Sequence, residues 1–231
     1  QVLDAYAERG ALYGHGVTLS VLSAAWCPRQ QAWIDALIDE VHRRSYVHIS
    51  EHLAFSTTPE MRDGAPLPMP RLPQVVEAGR RAMLALSAAA GTPVGLENLA
   101  LALSPQDVQD EPALLDAILD PVDGFIVLDL HNLWCRAVNF GQDPTTLLMA
   151  YPQHRVRELH VSGGSWQDGF RRDTHDGAVP DEVFGMLPTA LQRFPGVDVV
   201  VMEQLPASLE TQDAQQAFQE DVRRIHGVLH G

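Results

Sequence analysis

Six apolar runs in this chain each end in a side chain able to hold a metal ion: His15, His52, Glu97, Asp129, His160 and Glu203. Apolar runs of this length bounded by polar punctuation read as buried strands, so these six residues sit at strand ends. In a parallel sheet the carboxyl ends of all strands gather on one face, where the active sites of such folds lie. Histidines and carboxylates converging without thiolates make a site for hard or borderline metals such as iron, manganese or zinc. The chemistry to expect is that of a metalloenzyme.

Strand parity refines the set. Side chains alternate with period two, which puts His48, Ser50 and His52 on one face and Glu51 on the other. The same rule points Asp129 and His131 together, and pairs Glu97 with Gly95 and Glu203 with Val201. Asn132 falls just beyond its strand, where a loop can turn it inward, and Asp173 and His175 have the spacing to reach one ion from the loop after His160. If Glu97, Asp129, Asp173 and Glu203 converge, each pair at about 4 Å repels by roughly 4 kcal/mol at an effective dielectric near 20. Protons or cations must offset that repulsion, and the histidines favour cations. Eight or nine ligands exceed one coordination sphere, so the sequence suggests two or three ions.

The elements that position these residues alternate between strand and helix, which predicts an α/β fold with a parallel sheet covered by helices. Strands are predicted near 11–19, 46–55, 93–99, 125–131, 156–163 and 198–204. Helices are predicted from Pro28 to Arg44, Leu72 to Ala90, Pro105 to Leu119, Pro144 to Tyr151, Pro180 to Phe194 and Leu209 to Leu229, with Pro at first turns and Gly or Pro past the ends. A closed (β/α)8 barrel of the TIM type needs eight strands, and six are visible. Gln1 to Gly10 read as the tail of a helix, so the expectation is one barrel domain over residues 1–231 that lacks its first two strands, by truncation rather than by an exposed open edge. The stretch from Thr57 to Pro73, with five prolines, reads as a lid or rim after the second strand.

Composition narrows the function classes. A formal net charge of −14 without a basic cluster disfavours nucleic acid as a partner. No apolar run approaches a membrane span and the first residues do not read as a signal peptide, so a cytoplasmic protein without a membrane partner is expected. Cys27 and Cys135 lack metal-site spacing and read as packing or helix-start residues in a reducing compartment. His42, His154, His226 and His230 are assigned to solvent, and His48 to the barrel interior. Arg155 to Glu158 reads as a strand entrance with a solvated side, and Arg171–Arg172 as a solvated loop pair.

Six strings carry a family resemblance: His15-Gly16-Val17-Thr18-Leu19-Ser20, Ser50-Glu51-His52-Leu53-Ala54-Phe55, Leu96-Glu97-Asn98, Leu128-Asp129-Leu130-His131-Asn132-Leu133, Glu158-Leu159-His160-Val161-Ser162-Gly163 and Asp173-Thr174-His175. In order and spacing the chain resembles the DUF692 family, the multinuclear non-heme iron-dependent oxidative enzymes, which includes the catalytic subunit of methanobactin synthase. The resemblance covers nearly the whole chain. It implies a barrel related to xylose isomerase, and two or three irons of mixed Fe(II)/Fe(III) valence. With O2 as co-substrate these would remodel cysteines of a ribosomally synthesised peptide, and a partner protein would present the peptide leader. Carried over by motif, His15, His52 and Glu97 would serve one iron, Asn132, His160 and Glu203 a second, and Asp129, Asp173 and His175 a third. Glu97, Asp129 and His160 are the expected catalytic centre of that set.

The chain departs from the family pattern at several points. Two upstream strands are not seen. Gly163-Gly164 stands where the family typically reads Gly-His, Glu203 is followed by Gln204-Leu205 rather than Trp-Asp, and His131 replaces a frequent Asn. The nominated ligands survive these changes. Two other functions use the same residues: a non-redox zinc or manganese isomerase or hydrolase, and a non-catalytic metal- or peptide-binding module.

Overall fold

The computed structural model describes residues 2–56 and 66–231. In chain order the elements are α1 (Val2–Glu8), β1 (Gly14–Gly16), α2 (Pro28–Arg43), β2 (Ile49–His52), α3 (Pro73–Ala90), β3 (Val94–Glu97), α4 (Pro105–Leu119), β4 (Phe125–Asp129), α5 (Leu130–Phe140), α6 (Pro144–Ala150), β5 (Val156–Ser162), β6 (Ser165–Gln167), β7 (Phe170–Arg172), α7 (Asp181–Arg193), β8 (Val199–Glu203) and α8 (Gln212–His230). All six predicted strands are present, although β1 keeps only three residues of its predicted span. The predicted helices agree to within about one turn.

Helix boundaries follow their punctuation. Pro73 opens α3, and Gly91 ends it with φ 62°, the left-handed conformation that glycine adopts without penalty. Cys27 caps α2, where its N–H donates to the Gln30 side chain, so the helix-start reading of that residue holds. Asp143 and Thr211 cap α6 and α8 by accepting the N–H of Thr146 and Ala214.

Two segments differ from expectation. The fourth strand was predicted to run to residue 131, but it stops at Asp129, whose carboxylate caps α5 by accepting Asn132 N–H. The apolar run hides this boundary, because its fully buried strand passes into a helix that is itself largely buried, and periodicity cannot separate the two. Residues 165–172 form a hairpin inside what reads as a loop, turning at Asp168-Gly169 with φ 53° and 79°. Paired positive φ is the mark of the tight two-residue hairpin turn, and Asp-Gly was its sequence signal.

The elements fall into two compact units, Gln1–Leu99 with Asp110–Ile126, and Ala100–Gln109 with Val127–Gly231. In the first, β1, β2 and β3 are parallel, with His15 opposite Ser50 and His52 opposite Glu97. Every residue of β3 is buried, as befits a parallel strand covered on both faces, and Met83, Leu86, Leu96, Leu115 and Ile118 form the surrounding core. Gly95 is bare because a Cβ there would stand 2.4 Å from the Phe125 ring. His48 packs on Tyr13 and Phe125 at 4.8 and 4.4 Å between ring centroids, a barrel residue as expected. In the second unit, β5 and β8 are parallel, with Ser162 opposite Glu203, and Leu159, Val161, Val183, Leu187 and Phe194 are buried around them. The Thr57–Pro73 rim falls largely outside the described residues; of it, Leu67 forms an antiparallel bridge with Phe55.

Candidate functional site

In the first unit the parity argument delivers His15, His52 and Glu97 to one place. Glu97 Oε2 lies 2.8 Å from His15 Nε2 and 3.6 Å from His52 Nε2, and the two imidazoles stand 4.7 Å apart between centroids. The far nitrogen of each ring is committed to the protein. His52 Nδ1 lies 3.1 Å from the Gly16 carbonyl, which can only accept, so Nδ1 carries the proton. Ser50 Oγ donates to the Gly14 carbonyl and therefore accepts from His15 Nδ1 at 2.8 Å. In the neutral rings both Nε2 lone pairs therefore face the buried Glu97 carboxylate. Acceptors aimed at acceptors need protons or a cation among them, and an outer hydrogen bond that fixes the imidazole tautomer is the usual companion of a metal-binding histidine.

Glu51, on the opposite face of β2 as parity requires, has a different task. It is fully buried and accepts Leu19 N–H and His52 N–H, both at 2.9 Å, which ties the turn after β1 to β2. Burial pushes its carboxyl above the ordinary glutamate range, against the pull of those two N–H groups.

The second unit gathers the other predicted ligands. His160 and Glu203 lie on neighbouring strands with Nδ1 and Oε2 3.3 Å apart. The remaining nitrogen of His160 meets Glu158 Oε1 at 2.9 Å. The strand entrance predicted at Arg155 to Glu158 is present and Arg157 faces water from it, but Glu158 and Arg155 are buried. The i, i+2 spacing of Glu158, His160 and Ser162 was the available signal, since all three project from one face of β5.

Past the hairpin, Asp173 and His175 come together as expected. His175 Nε2 lies 2.8 Å from Asp173 Oδ1 and 3.7 Å from Glu203 Oε2. That nitrogen is buried between the two carboxylates. His175 also has φ 50°, a strained backbone for a residue with a side chain. Burial opposes its charge, yet Asp173 above all, with Glu203 and Asp129, holds its pKa up to about 9; burial opposes the charge of Asp173 as well, but hydrogen bonds from His131 and His175, with the charge on His175, together outweigh it and hold that carboxyl below the usual carboxylate range. Without metal a proton on His175 answers the surrounding carboxylates, and a bound metal would displace it.

Asp129 and Asn132 belong to the same unit through the cap of α5, with Asp129 Oδ1 2.5 Å from Asn132 N. Because a helix starts at Leu130, the strand rule does not govern His131. It is fully buried, with Nδ1 3.1 Å from Asp173 Oδ1 and Nε2 accepting from Arg171 Nε at 3.4 Å. Burial lowers its pKa, and Arg171 lowers it further against the pull of Asp173. Arg171 is likewise buried, which corrects its assignment to solvent, whereas Arg172 is exposed as predicted. Cys135 is buried beside His131, with its thiol pushed up by burial and by Asp173 and Asp129, and is a packing residue.

The Gly163-Gly164 pair has a local cause. A Cβ at Gly164 would stand 2.2 Å from the Arg172 carbonyl oxygen and 2.9 Å from His131 Cε1, and one at Gly163 would stand 2.2 Å from the Gly177 carbonyl oxygen. The loop bearing Asp173 and His175 lies directly on this bare backbone. Leu205 N–H donates to the His175 carbonyl at 2.9 Å, so the segment after Glu203 fixes the same loop from its other side.

Residues 1–223 match the family model described as the RiPP precursor modification enzyme MbnB/TglH/ChrH, enzymes that modify the precursors of ribosomally synthesised and post-translationally modified peptides. The chain belongs to this family. Among its curated relatives, the UPF0276 protein of Acaryochloris marina is 33% identical over 200 residues, covering 81% of this chain and 67% of the relative. The UPF0276 protein of Chromobacterium violaceum is 31% identical over 196 residues, covering 83% and 69%. Of solved structures, D-psicose 3-epimerase from Clostridium cellulolyticum H10 is similar with a TM-score of 0.56 at 14% identity, covering 95% of this chain and 81% of that one. A xylose isomerase-like TIM barrel protein from Mycobacterium smegmatis, solved with magnesium, gives 0.51 at 14% identity, covering 97% and 76%. These likenesses establish the fold: this MbnB/TglH/ChrH family member is an α/β protein of the xylose isomerase-like TIM barrel class. No helix among its described residues is long and apolar enough to cross a membrane.

Proposed function

We propose that this member of the family is a multinuclear, iron- and O2-dependent oxidative enzyme that modifies cysteine residues of a ribosomally synthesised peptide. The observation that carries the reading is the arrangement of His15 and His52, whose Nε2 atoms face Glu97 Oε2 while their Nδ1 atoms are held by the protein. The donor set is nitrogen and oxygen throughout, with Cys27 and Cys135 outside it, and this suits iron as well as zinc or manganese. His15, His52 and Glu97 would hold one ion, Asn132, His160 and Glu203 a second, and Asp129, Asp173 and His175 a third. Iron bound there would supply a Lewis acid that lowers a substrate thiol pKa and a one-electron couple for O2.

The chain's own residues do the rest. Ser50 and the Gly16 carbonyl fix the tautomers of His15 and His52, and Glu158 holds His160 with its Nδ1 toward Glu203. His175 stores the proton that metal binding would release. Glu97, Asp129 and His160 are the proposed catalytic centre, a cysteine-bearing precursor peptide the proposed substrate, and a leader-presenting protein the proposed partner. The free state of both cysteines fits a reducing, cytoplasmic setting.

The test is elemental analysis with electron paramagnetic resonance on protein purified without oxygen. Two or three irons per chain with a coupled mixed-valence signal is the expected result. Stoichiometric zinc or manganese without iron would overturn the oxidative reading in favour of isomerase or hydrolase chemistry, and no metal at all would leave a binding module.

A further inference from the structure

We propose that His131 and Arg171 are positioning residues for Asp173 and His175, joined in a relay of hydrogen bonds that runs from the β6–β7 hairpin through α5 to the Asp173 carboxylate. The inference rests on the metal-binding reading above and adds residues that it does not use.

Each link has a defined direction. Arg171 Nε, which can only donate, points at His131 Nε2 from 3.4 Å, so that nitrogen offers its lone pair and the ring proton resides on Nδ1. Nδ1–H then donates to Asp173 Oδ1 at 3.1 Å, and Ser162 Oγ donates to the same oxygen at 3.1 Å. With both ring nitrogens engaged, His131 orients a carboxylate rather than ligating an ion. Arg171 is itself fixed: the Asn139 side chain accepts its N–H and donates to its carbonyl, both at 2.8 Å, and its guanidinium lies over Trp134 at 5.1 Å from the ring centroid. The His131 ring fills the space that the bare Gly164 leaves, its Cε1 2.9 Å from where a Cβ would be.

A ring that merely filled space would not need a particular tautomer. Nitrogen-15 NMR of the imidazoles in metal-free protein should show His131 protonated at Nδ1 and bare at Nε2, with an Nε2–H form appearing in Arg171→Met. An Nε2–H tautomer in the wild type would overturn the relay whatever the variant does. Anaerobic Fe(II) titration supplies the second readout. His131→Phe should weaken one ion by about 10–100-fold, the usual effect of removing an outer hydrogen-bond partner, while the ion held by His15, His52 and Glu97 is unchanged. His131→Asn, which keeps an N–H donor, should recover part of the loss. Equal titrations of His131→Phe and wild type would also overturn the relay. A wild type that takes up no Fe(II) would instead refute the proposed function, and the tautomer would still decide the relay.

Discussion

Replacing Gly164 with alanine tests how the loop bearing Asp173 and His175 is held. The new Cβ would lie 2.2 Å from the Arg172 carbonyl oxygen, with His131 Cε1 at 2.9 Å and Thr174 N at 3.0 Å closing the other directions. A close carbon–oxygen contact needs roughly 3.3 Å, so backbone must yield by about 1 Å. Overpacking costs about 1–3 kcal/mol, and with rigid backbone as the obstacle the upper end applies. For a chain of this size 3 kcal/mol lowers Tm by roughly 6–12 °C. Gly185→Ala is the matched control. It lies inside α7 with nothing within 4 Å of its Cβ, so the same methyl should stabilise by about 0.5–1 kcal/mol through helix propensity. Thermal unfolding of the two metal-free variants by circular dichroism should therefore move in opposite directions. A Gly164→Ala protein that melts within 1 °C of wild type would falsify the claim that this glycine is required by the loop.

Other changes follow from the same geometry. Glu97→Gln keeps the shape but removes the charge between His15 and His52, and should lose one equivalent of metal by elemental analysis while the protein stays folded; full occupancy would contradict the ligand assignment. Glu51→Gln leaves one of two backbone N–H donors facing an NH2 group, and should destabilise by about 1–3 kcal/mol in chemical denaturation. Asp221 is buried and accepts Val179 N–H, and burial raises its pKa, so its folded form holds its proton to higher pH than the unfolded form. Its contribution to stability must then fall as pH rises from the ordinary aspartate value through that raised one; Asp221→Asn, which keeps the acceptor, should flatten this slope, and an unchanged slope would place the titration elsewhere.

How legible the site was depends on which rule each residue obeyed. His15, His52, Glu97, His160 and Glu203 sit on strands, where period two and strand-end position are enough to assign a face, and β2 and β3 carry His52 and Glu97 to the same register point. His131 escaped because its neighbour Leu130 starts a helix, and an apolar run carries no mark of where a buried strand becomes a buried helix. Arg171 and Glu158 were misplaced because charge suggests water; burial of each is possible only through partners distant in sequence, or two residues away on a face that already held a histidine. Gly163-Gly164 was visible as a departure, but its reason lies in the fold of residues 165–178, whose hairpin no strand-length apolar run announces. The candidate ligands were thus readable from local pattern, whereas the groups proposed to orient them become visible only once the loop after β5 has closed over its two glycines.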